Sequence, residues 1–477
     1  MDSALPPAPA LTADELAPRL AALRHRVDGA VLLPGDPGFR EAALAWNRGA
    51  THDPAVIVVA EDVGDVIAAV TFAADTGLGL GVQATGHGVA LPVNGVLLVT
   101  ARMTGIEVDP EERTAWIEAG CRWGEVLAAT QEHGLAPLLG SSPEVGAVGY
   151  TLGGGLGWLA RKYGPACDAV RSFEVVLPSG ELVYASRDEH TELFHALAGG
   201  GGGSVGVVTE MEVQLYPVTT VYGGDLTYPA EAAAEILSAW SAWVAHAPDE
   251  LTSSVVLMNG LRGRATTVVR GCWCGDPDEG RRLLDAWRRA HPPLVDGWDV
   301  VPLADLASLS NDPTAPTWRL ITGGWLAIAP GATIPHEVGA VLAAATFGAP
   351  GDGATPPVLR YCEVRQGGGA ISRSPHRGDT SMGNRDGAFL LHLVGVADEH
   401  HGPDEIARHL DATRASLGSH LSPRSYLNVL DGPARAAAAH AAIDSDDLAR
   451  IVRVRTAVDR ENVLRYGVDH LRCRGTQ

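Results

Sequence analysis

The chain has 477 residues, 46% of them hydrophobic and 19% charged, a folded composition too long for one ordinary core, so two lobes are expected. A formal net charge of −21 repels phosphate backbones and anionic lipid, which argues against nucleic-acid or membrane partners. No run of about 18 apolar residues is present, and the start of the chain lacks an apolar segment behind a basic one, so a cytoplasmic location is expected.

The N-terminus reads as a Pro-rich arm entering a short amphipathic helix that carries Leu16, Leu20 and Leu23. From residue 34 to 218, strands and helices alternate. Residues 55–60 are a short apolar run fit for a buried strand, and 62–75 show helical spacing through Val63, Val66, Ile67, Val70 and Ala74. Strands are predicted at 78–83, 96–100, 114–119, 173–177, 182–185 and 209–216, and a helix at 124–133 that stops at Gly134. Pro178-Ser-Gly180 is a hairpin signal between two of these strands. After Pro217 the pattern shifts to strands at 253–258, 265–269, 361–366 and 389–396, with helices at 231–245, 277–290 and 447–457. Strands grouped together with helices beside them predict an α+β second lobe. Six cysteines are sparse for this length. Cys272 and Cys274 share one face of a predicted strand, but no second pair completes a zinc site, and no metal is expected; Cys121, Cys167, Cys362 and Cys473 read as ordinary thiols.

Three glycine clusters carry the chemistry. They are Gln83-Ala-Thr-Gly-His-Gly-Val89 directly after a strand, Gly140 to Gly157, and Gly199 to Gly203 followed by Ser204-Val-Gly-Val-Val208. Glycine lets backbone N–H groups approach a ligand and adopt positive φ, and consecutive N–H groups make a nest for an anion such as a pyrophosphate. Any one cluster alone would read as a turn. The middle cluster runs into Leu159-Ala-Arg-Lys-Tyr163, and if helical its four glycines, Gly153, Gly154, Gly155 and Gly157, would each cost roughly 1 kcal/mol relative to alanine. Such a helix is expected to press against something large. The spacing Gly153-Gly-Gly-Leu-Gly157 is not a Rossmann fingerprint, which argues against an NAD-linked reductase.

In order along the chain, Glu61-Asp-Val-Gly-Asp-Val-Ile-Ala-Ala-Val70, Gln83 to Val89, Ser142-Pro-Glu-Val-Gly146, Gly149-Tyr-Thr-Leu-Gly-Gly-Gly155, Arg161-Lys-Tyr-Gly164, Leu193-Phe-His-Ala-Leu197 and Gly206-Val-Val-Thr209 resemble the FAD-binding domain of the vanillyl-alcohol oxidase (PCMH-type) superfamily. Tyr426-Leu-Asn428 and Val458-Asp-Arg-Glu-Asn-Val-Leu464 resemble its closing segments, and the whole is similar to the berberine bridge enzyme-like oxidases. The resemblance implies an α+β, two-lobed fold: an FAD lobe at 1–217 (its core about 50–217), an inserted antiparallel-sheet substrate lobe at 218–430, and a C-terminal segment at 431–477 returning to the first lobe. FAD would be held by Gln83, Ala84, Thr85, Gly86, His87, Gly88, Val89, Ser141, Ser142, Val145, Gly146, Gly149, Tyr150, Gly153, Gly154, Gly157, Gly206, Val207, Val208 and Asn428.

His87 falls where the family joins flavin through its 8α-methyl carbon, a step that suits a neutral imidazole nucleophile. Many relatives have a second, cysteinyl link in a Gly-x-Cys-Pro context. Here that position is Ser142, so a single attachment is expected. Val145 stands where a small residue in plant relatives leaves an oxygen path open, which implies O₂ as acceptor. Counting nine residues back from Pro375 places the family's catalytic Glu at Gln366, which cannot act as a base. Tyr150, Glu363 and Asn428 remain as catalytic candidates, with Glu363 and Arg365 on one strand face able to form a structural pair instead. Many relatives carry an aromatic residue after Asn428; here it is Val429. The expected activity is oxidation of a small secondary-metabolite alcohol, amine or C–H group. The alternative is a flavin-containing cyclase or binding protein with no net redox turnover.

Overall fold

The computed structural model describes residues 13–89, 91–259, 265–348 and 357–471. The Pro-rich arm and Cys473 lie outside the described residues. The amphipathic helix is present as Ala13–Arg26, and Leu16, Leu20 and Leu23 pack it onto the first sheet's core.

Among the described residues the strands form three sheets. The first holds β1 (Ala30–Leu32), β2 (Val56–Val59), β3 (Leu80–Gln83) and β4 (Val96–Val99) in the order β1-β2-β4-β3. β2, β4 and β3 run parallel and β1 antiparallel to β2. β2 and β4 are buried at every position, which is why they read as unbroken apolar runs. The helix Val63–Thr76 crosses between β2 and β3; Asp62 caps it, accepting the Asp65 N–H at 3.0 Å, and Gly77 ends it with φ +67°.

The second sheet is β5 (Ile106–Asp109), β6 (Thr114–Glu118), β7 (Val170–Val176), β8 (Leu182–Ser186) and β9 (Val207–Gln214), ordered β5-β6-β9-β7-β8 and antiparallel throughout. On it Glu210 lies directly across from Glu118 on one side and Glu174 on the other. Burial first, then Glu174, Glu118 and Glu107, pushes the Glu210 pKa up from 4.5 to about 7. A raised folded-state pKa means stability that is whole below pH 4.5 and lost as pH rises through 7. Glu210→Gln should therefore leave thermal stability near pH 5 almost unchanged and raise it above pH 7.5, by on the order of 1 kcal/mol after allowing for solvent screening. Melting curves at the two pH values check this.

The third sheet has eight strands: β10 (Thr220–Pro229), β11 (Leu251–Asn259), β12 (Ala265–Trp273), β13 (Val295–Asp296), β14 (Asp299–Pro302), β15 (Arg319–Trp325), β16 (Leu359–Gln366) and β17 (Phe389–Val396). The order is β13-β10-β12-β11-β16-β17-β15, with β14 also on β10. Helices Ala233–Val244, His336–Phe347 and Pro403–Leu417 cover one face, where Cys362, Val364, Phe389, Leu391 and Leu393 enter their core. Strand alternation turns Tyr361, Glu363, Arg365, His392 and Val394 to the opposite face, toward the first two sheets. The C-terminal segment returns to the first half of the chain: Leu464 bridges Leu80, and helix Ser445–Val458 packs on Thr191–Leu197, with His195 Nε2 at 2.9 Å from Asp447.

The conditional reading of a helix through the glycine run does not apply. The glycine run after Tyr150 is not helical. Helix Ala147–Leu152 ends at Gly153, and Gly154 and Gly155 have φ of +106° and +78°. These left-handed residues turn the chain before Ala160–Tyr163, so glycine here serves a sharp reversal and not a flat helical contact.

Candidate active site

A cavity of about 1030 Å³ lies between the third sheet and the first two. That is the upper end of the range for small-molecule sites, enough for a dinucleotide with a substrate beside it. One wall is the loop from Gln83 to Val89 with Ser141, Ser142, Val145, Gly146, Gly149, Tyr150, Gly206, Val207 and Val208. The opposite wall is Arg319 on β15, Tyr361 and Arg365 on β16, and His392 and Val394 on β17, closed by Asn428, Asp431 and Arg435.

The 83–89 loop is built to face inward. The Thr85 and Gly86 carbonyls accept the Trp46 and Asn47 N–H groups, each at 3.0 Å. The N–H groups of Thr85 to Gly88 donate to no described residue. Gly86 has φ +74°, and a Cβ there would lie 2.6 Å from Ala45 Cβ, so only glycine fits. Gln83 lines the cavity, but its side-chain amide is engaged: the NH₂ donates to the Leu44 carbonyl at 3.2 Å and the oxygen meets His52 Nε2 at 3.0 Å.

His87 is 6% exposed, and its ring stacks on Trp46 at 4.0 Å between centroids and 17° between planes. Neither ring nitrogen has a hydrogen-bond partner among the described residues. Burial, and after it the charges of Arg319 and Arg122, push its pKa down to about 3, against a smaller opposing pull from the Glu144 backbone. The imidazole is therefore neutral at any physiological pH. Arg319 holds this loop from the far lobe. It donates to the His87 carbonyl at 2.9 Å, lies 5.0 Å over the Trp46 ring, and approaches Asp431 at 3.9 Å. Trp46 Nε1 in turn donates to the Thr314 carbonyl at 3.2 Å.

Ser142 lines the same wall, buried, with its hydroxyl unpartnered. Asn428 donates to the Tyr150 carbonyl at 3.0 Å and to the Tyr426 hydroxyl at 3.1 Å, and accepts from Arg435 at 3.3 Å. It joins the two walls. An FAD-sized ligand fits this inventory: inward N–H groups, a buried neutral imidazole without a partner, and an unpartnered hydroxyl beside it.

Gly153, Gly154 and Gly157 do not line the cavity. A Cβ at Gly153 would lie 2.0 Å from Asn428 Oδ1, one at Gly154 would meet Met382 at 2.8 Å, and one at Gly157 would lie 1.8 Å from the Leu139 carbonyl oxygen. Their role is close packing behind the wall, not contact with a cofactor.

The catalytic candidates divide. Asn428 and Tyr150 reach the cavity; Glu363 and Gln366 do not. Gln366 is on the helix-covered face of β16, where its amide donates to the Val244 carbonyl at 3.0 Å. The count back from Pro375 lands one residue off the inward face, and period-2 geometry turns that slip into the wrong side of the sheet. Glu363 is fully buried beneath the cavity wall, and its carboxylate accepts from Arg270 and Arg365, each at 2.8 Å. Burial alone would lift its pKa, but Arg270 and Arg365, and behind them His392, hold it well below the ordinary value. A carboxylate so held is a poor proton acceptor, and the structural-pair expectation for Glu363 and Arg365 stands. Tyr150 lines the cavity, but its hydroxyl is buried and unpartnered and burial raises its pKa well above 10, which does not suit a phenolate base.

Trp46, His52, Arg319, His392, Asp431 and Arg435 were not singled out in the sequence. They belong to no motif there, and Arg319 stands 232 residues from the His87 carbonyl it binds.

Comparison with known proteins agrees with this geometry. A family model described as an FAD binding domain matches residues 54–186. An FAD-linked oxidoreductase of Bacillus subtilis is 28% identical over 61% of this chain and 65% of its own length. The (R)-6-hydroxynicotine oxidase of Paenarthrobacter nicotinovorans is 37% identical over 40% of this chain and 42% of its own. The matched regions thus span less than two thirds of these curated relatives. The crystal structure of 6-hydroxy-D-nicotine oxidase from Arthrobacter nicotinovorans superposes with a TM-score of 0.80 at 25% identity, covering 93% of this chain and 98% of that one. The chain thus carries an FAD-binding domain at residues 54–186 and shares, over more than nine tenths of its length, the fold of a PCMH-type FAD-linked oxidase, to which it is similar.

Proposed function

We propose that the protein is an FAD-dependent oxidase that carries its flavin covalently on His87 and oxidises a small-molecule alcohol, amine or C–H group, with O₂ as the final acceptor. The observation that carries this is His87 itself: a neutral imidazole, backed by Trp46, with both nitrogens unpartnered at the wall of a cavity large enough for a dinucleotide. An unpartnered buried polar group costs about 1–3 kcal/mol, and a ligand bond at that atom removes the cost.

Bound FAD would supply a two-electron acceptor for a hydride. The chain's residues hold and orient it. The N–H groups from Thr85 to Gly88 form the nest for its pyrophosphate. Arg319 holds the His87 carbonyl and lies over the Trp46 ring that backs the imidazole. Ser142 offers a hydroxyl where a thiol would be needed for a second bond, which supports single attachment. Pro313, Ala315, Pro316, Phe347, Val358 and Val396 line the same cavity and favour an apolar or aromatic substrate over a polyhydroxylated one.

The test is to precipitate the purified protein with acid and map flavin by peptide mass. Yellow colour in the pellet and flavin on the peptide containing His87 support the reading. Flavin released to the supernatant removes the covalent bond from it, and a protein that binds no flavin overturns it. Oxygen uptake across a panel of alcohols and amines then tests the acceptor and the substrate class.

A further inference from the structure

We propose that His392 accepts the substrate's proton and that Glu363 is the residue that positions its ring; this rests on the FAD-oxidase reading above. Among the described residues three histidines line the cavity: His52, His87 and His392. His52 is committed at both nitrogens, Nε2 to Gln83 at 3.0 Å and Nδ1 accepting the Val93 N–H at 2.9 Å. His87 is the attachment residue. His392 remains, and it is the one on the wall formed by the third sheet.

His392 on β17 is paired directly with Glu363 on β16, and both side chains leave the sheet on its inward face. Nδ1 lies 3.8 Å from Glu363 Oε2, and both ring nitrogens are buried with no hydrogen-bond partner among the described residues. A carboxylate behind Nδ1 selects the tautomer with hydrogen on that nitrogen and leaves the Nε2 lone pair as the base. Distances of this kind commonly shorten when substrate closes the site. The charged groups around the ring are Glu363 and Arg365 on β16 and Arg319 on β15, with Arg270 on β12 reaching it through Glu363, and Tyr361 edge-on at 5.9 Å. Burial, Arg365 and Arg319 lower the His392 pKa while Glu363 opposes them, so the ring is neutral at pH 7.

The other catalytic candidates read from the sequence do not compete. Glu363 is held anionic by two guanidinium groups, the Tyr150 hydroxyl is held protonated by burial, and Gln366 faces the helices. In the step, a substrate H–C–X–H (X is O or N) loses the X–H proton to His392 Nε2. FAD, held in this cavity, would supply the two-electron acceptor for the C–H hydrogen as a C=X bond forms. O₂ takes up those two electrons with two protons, one of them released from His392, as hydrogen peroxide.

The test uses the full-length, FAD-loaded protein with His392→Gln and His392→Asn. Bound FAD per chain should be unchanged in both variants; wild-type protein without FAD overturns the parent reading, whereas loss confined to the variants places His392 in cofactor retention and overturns this one. Diethyl pyrocarbonate, which acylates an imidazole only in its neutral form, should carbethoxylate His392 at pH 6–7 in the wild type. An unmodified His392 in protein whose exposed His400 reacts overturns the proposal and decides it alone if no panel compound is turned over. With the best panel substrate, kcat/KM should fall by about 10²–10⁴-fold in both variants, and the acid limb of the wild-type pH profile should vanish. A variant that keeps the wild-type profile overturns the assignment.

Discussion

His87→Ala should yield a protein that folds normally but loses its flavin to the supernatant on acid precipitation. The fold is spared because the imidazole makes no hydrogen bond; what is lost is stacking on Trp46, on the order of 1 kcal/mol. Arg319 still grips the loop, since it binds the residue 87 carbonyl and not the side chain. Turnover should fall by about one to two orders of magnitude, because a flavin no longer fixed beside the substrate samples unproductive positions. Ser142→Ala is the control on the neighbouring wall residue: attachment should persist. The measurements are in-gel flavin fluorescence, peptide mass and oxygen uptake. Flavin that stays on the His87→Ala chain would move the attachment to another residue.

The strands were legible where burial is two-sided, because such strands read as plain apolar runs; residues 55–60 and 389–396 are examples. The helix Pro277–Ala290 was legible end to end, because Asp276 caps it, Pro277 opens it and the apolar positions keep helical spacing. The glycine-rich segments were legible as a cavity wall, but the run from Gly153 to Gly157 was not legible as a reversal. Its positive φ angles fall at Gly154 and Gly155, which pack against Met382 and Tyr426 and against Ala166, all outside the glycine run. Gln366 failed for a different reason. Counting along the chain fixes position but not strand parity, and one residue of slip changes faces. Arg319, Asp431 and His392 had no local signal at all, since each becomes part of the site only when the third sheet closes over the 83–89 loop.

Glu363→Ala should unfold far more easily than the wild type. The carboxylate is fully buried and is the shared partner of Arg270, itself 5% exposed, and Arg365. Removing it leaves Arg270 buried beneath the cavity wall and Arg365 on that wall without a counter-charge, a loss of about 3 kcal/mol. Chemical denaturation should show this as a lower midpoint with an unchanged slope. The pH dependence distinguishes the cause. Arg270 and Arg365 hold the Glu363 pKa below 4.5, so its stabilisation is in place above that value and is lost as pH falls through the lower folded-state value. Wild type and variant should therefore converge in acid and separate above pH 5. Glu363→Gln should lie between them, because an amide can keep a hydrogen bond to one guanidinium but carries no charge. A Glu363→Ala protein as stable as wild type would mean that the two arginines find other partners and that the carboxylate is kept for another purpose. A loss of stability that parallels the loss of turnover assigns Glu363 to the frame that holds His392, not to proton transfer itself.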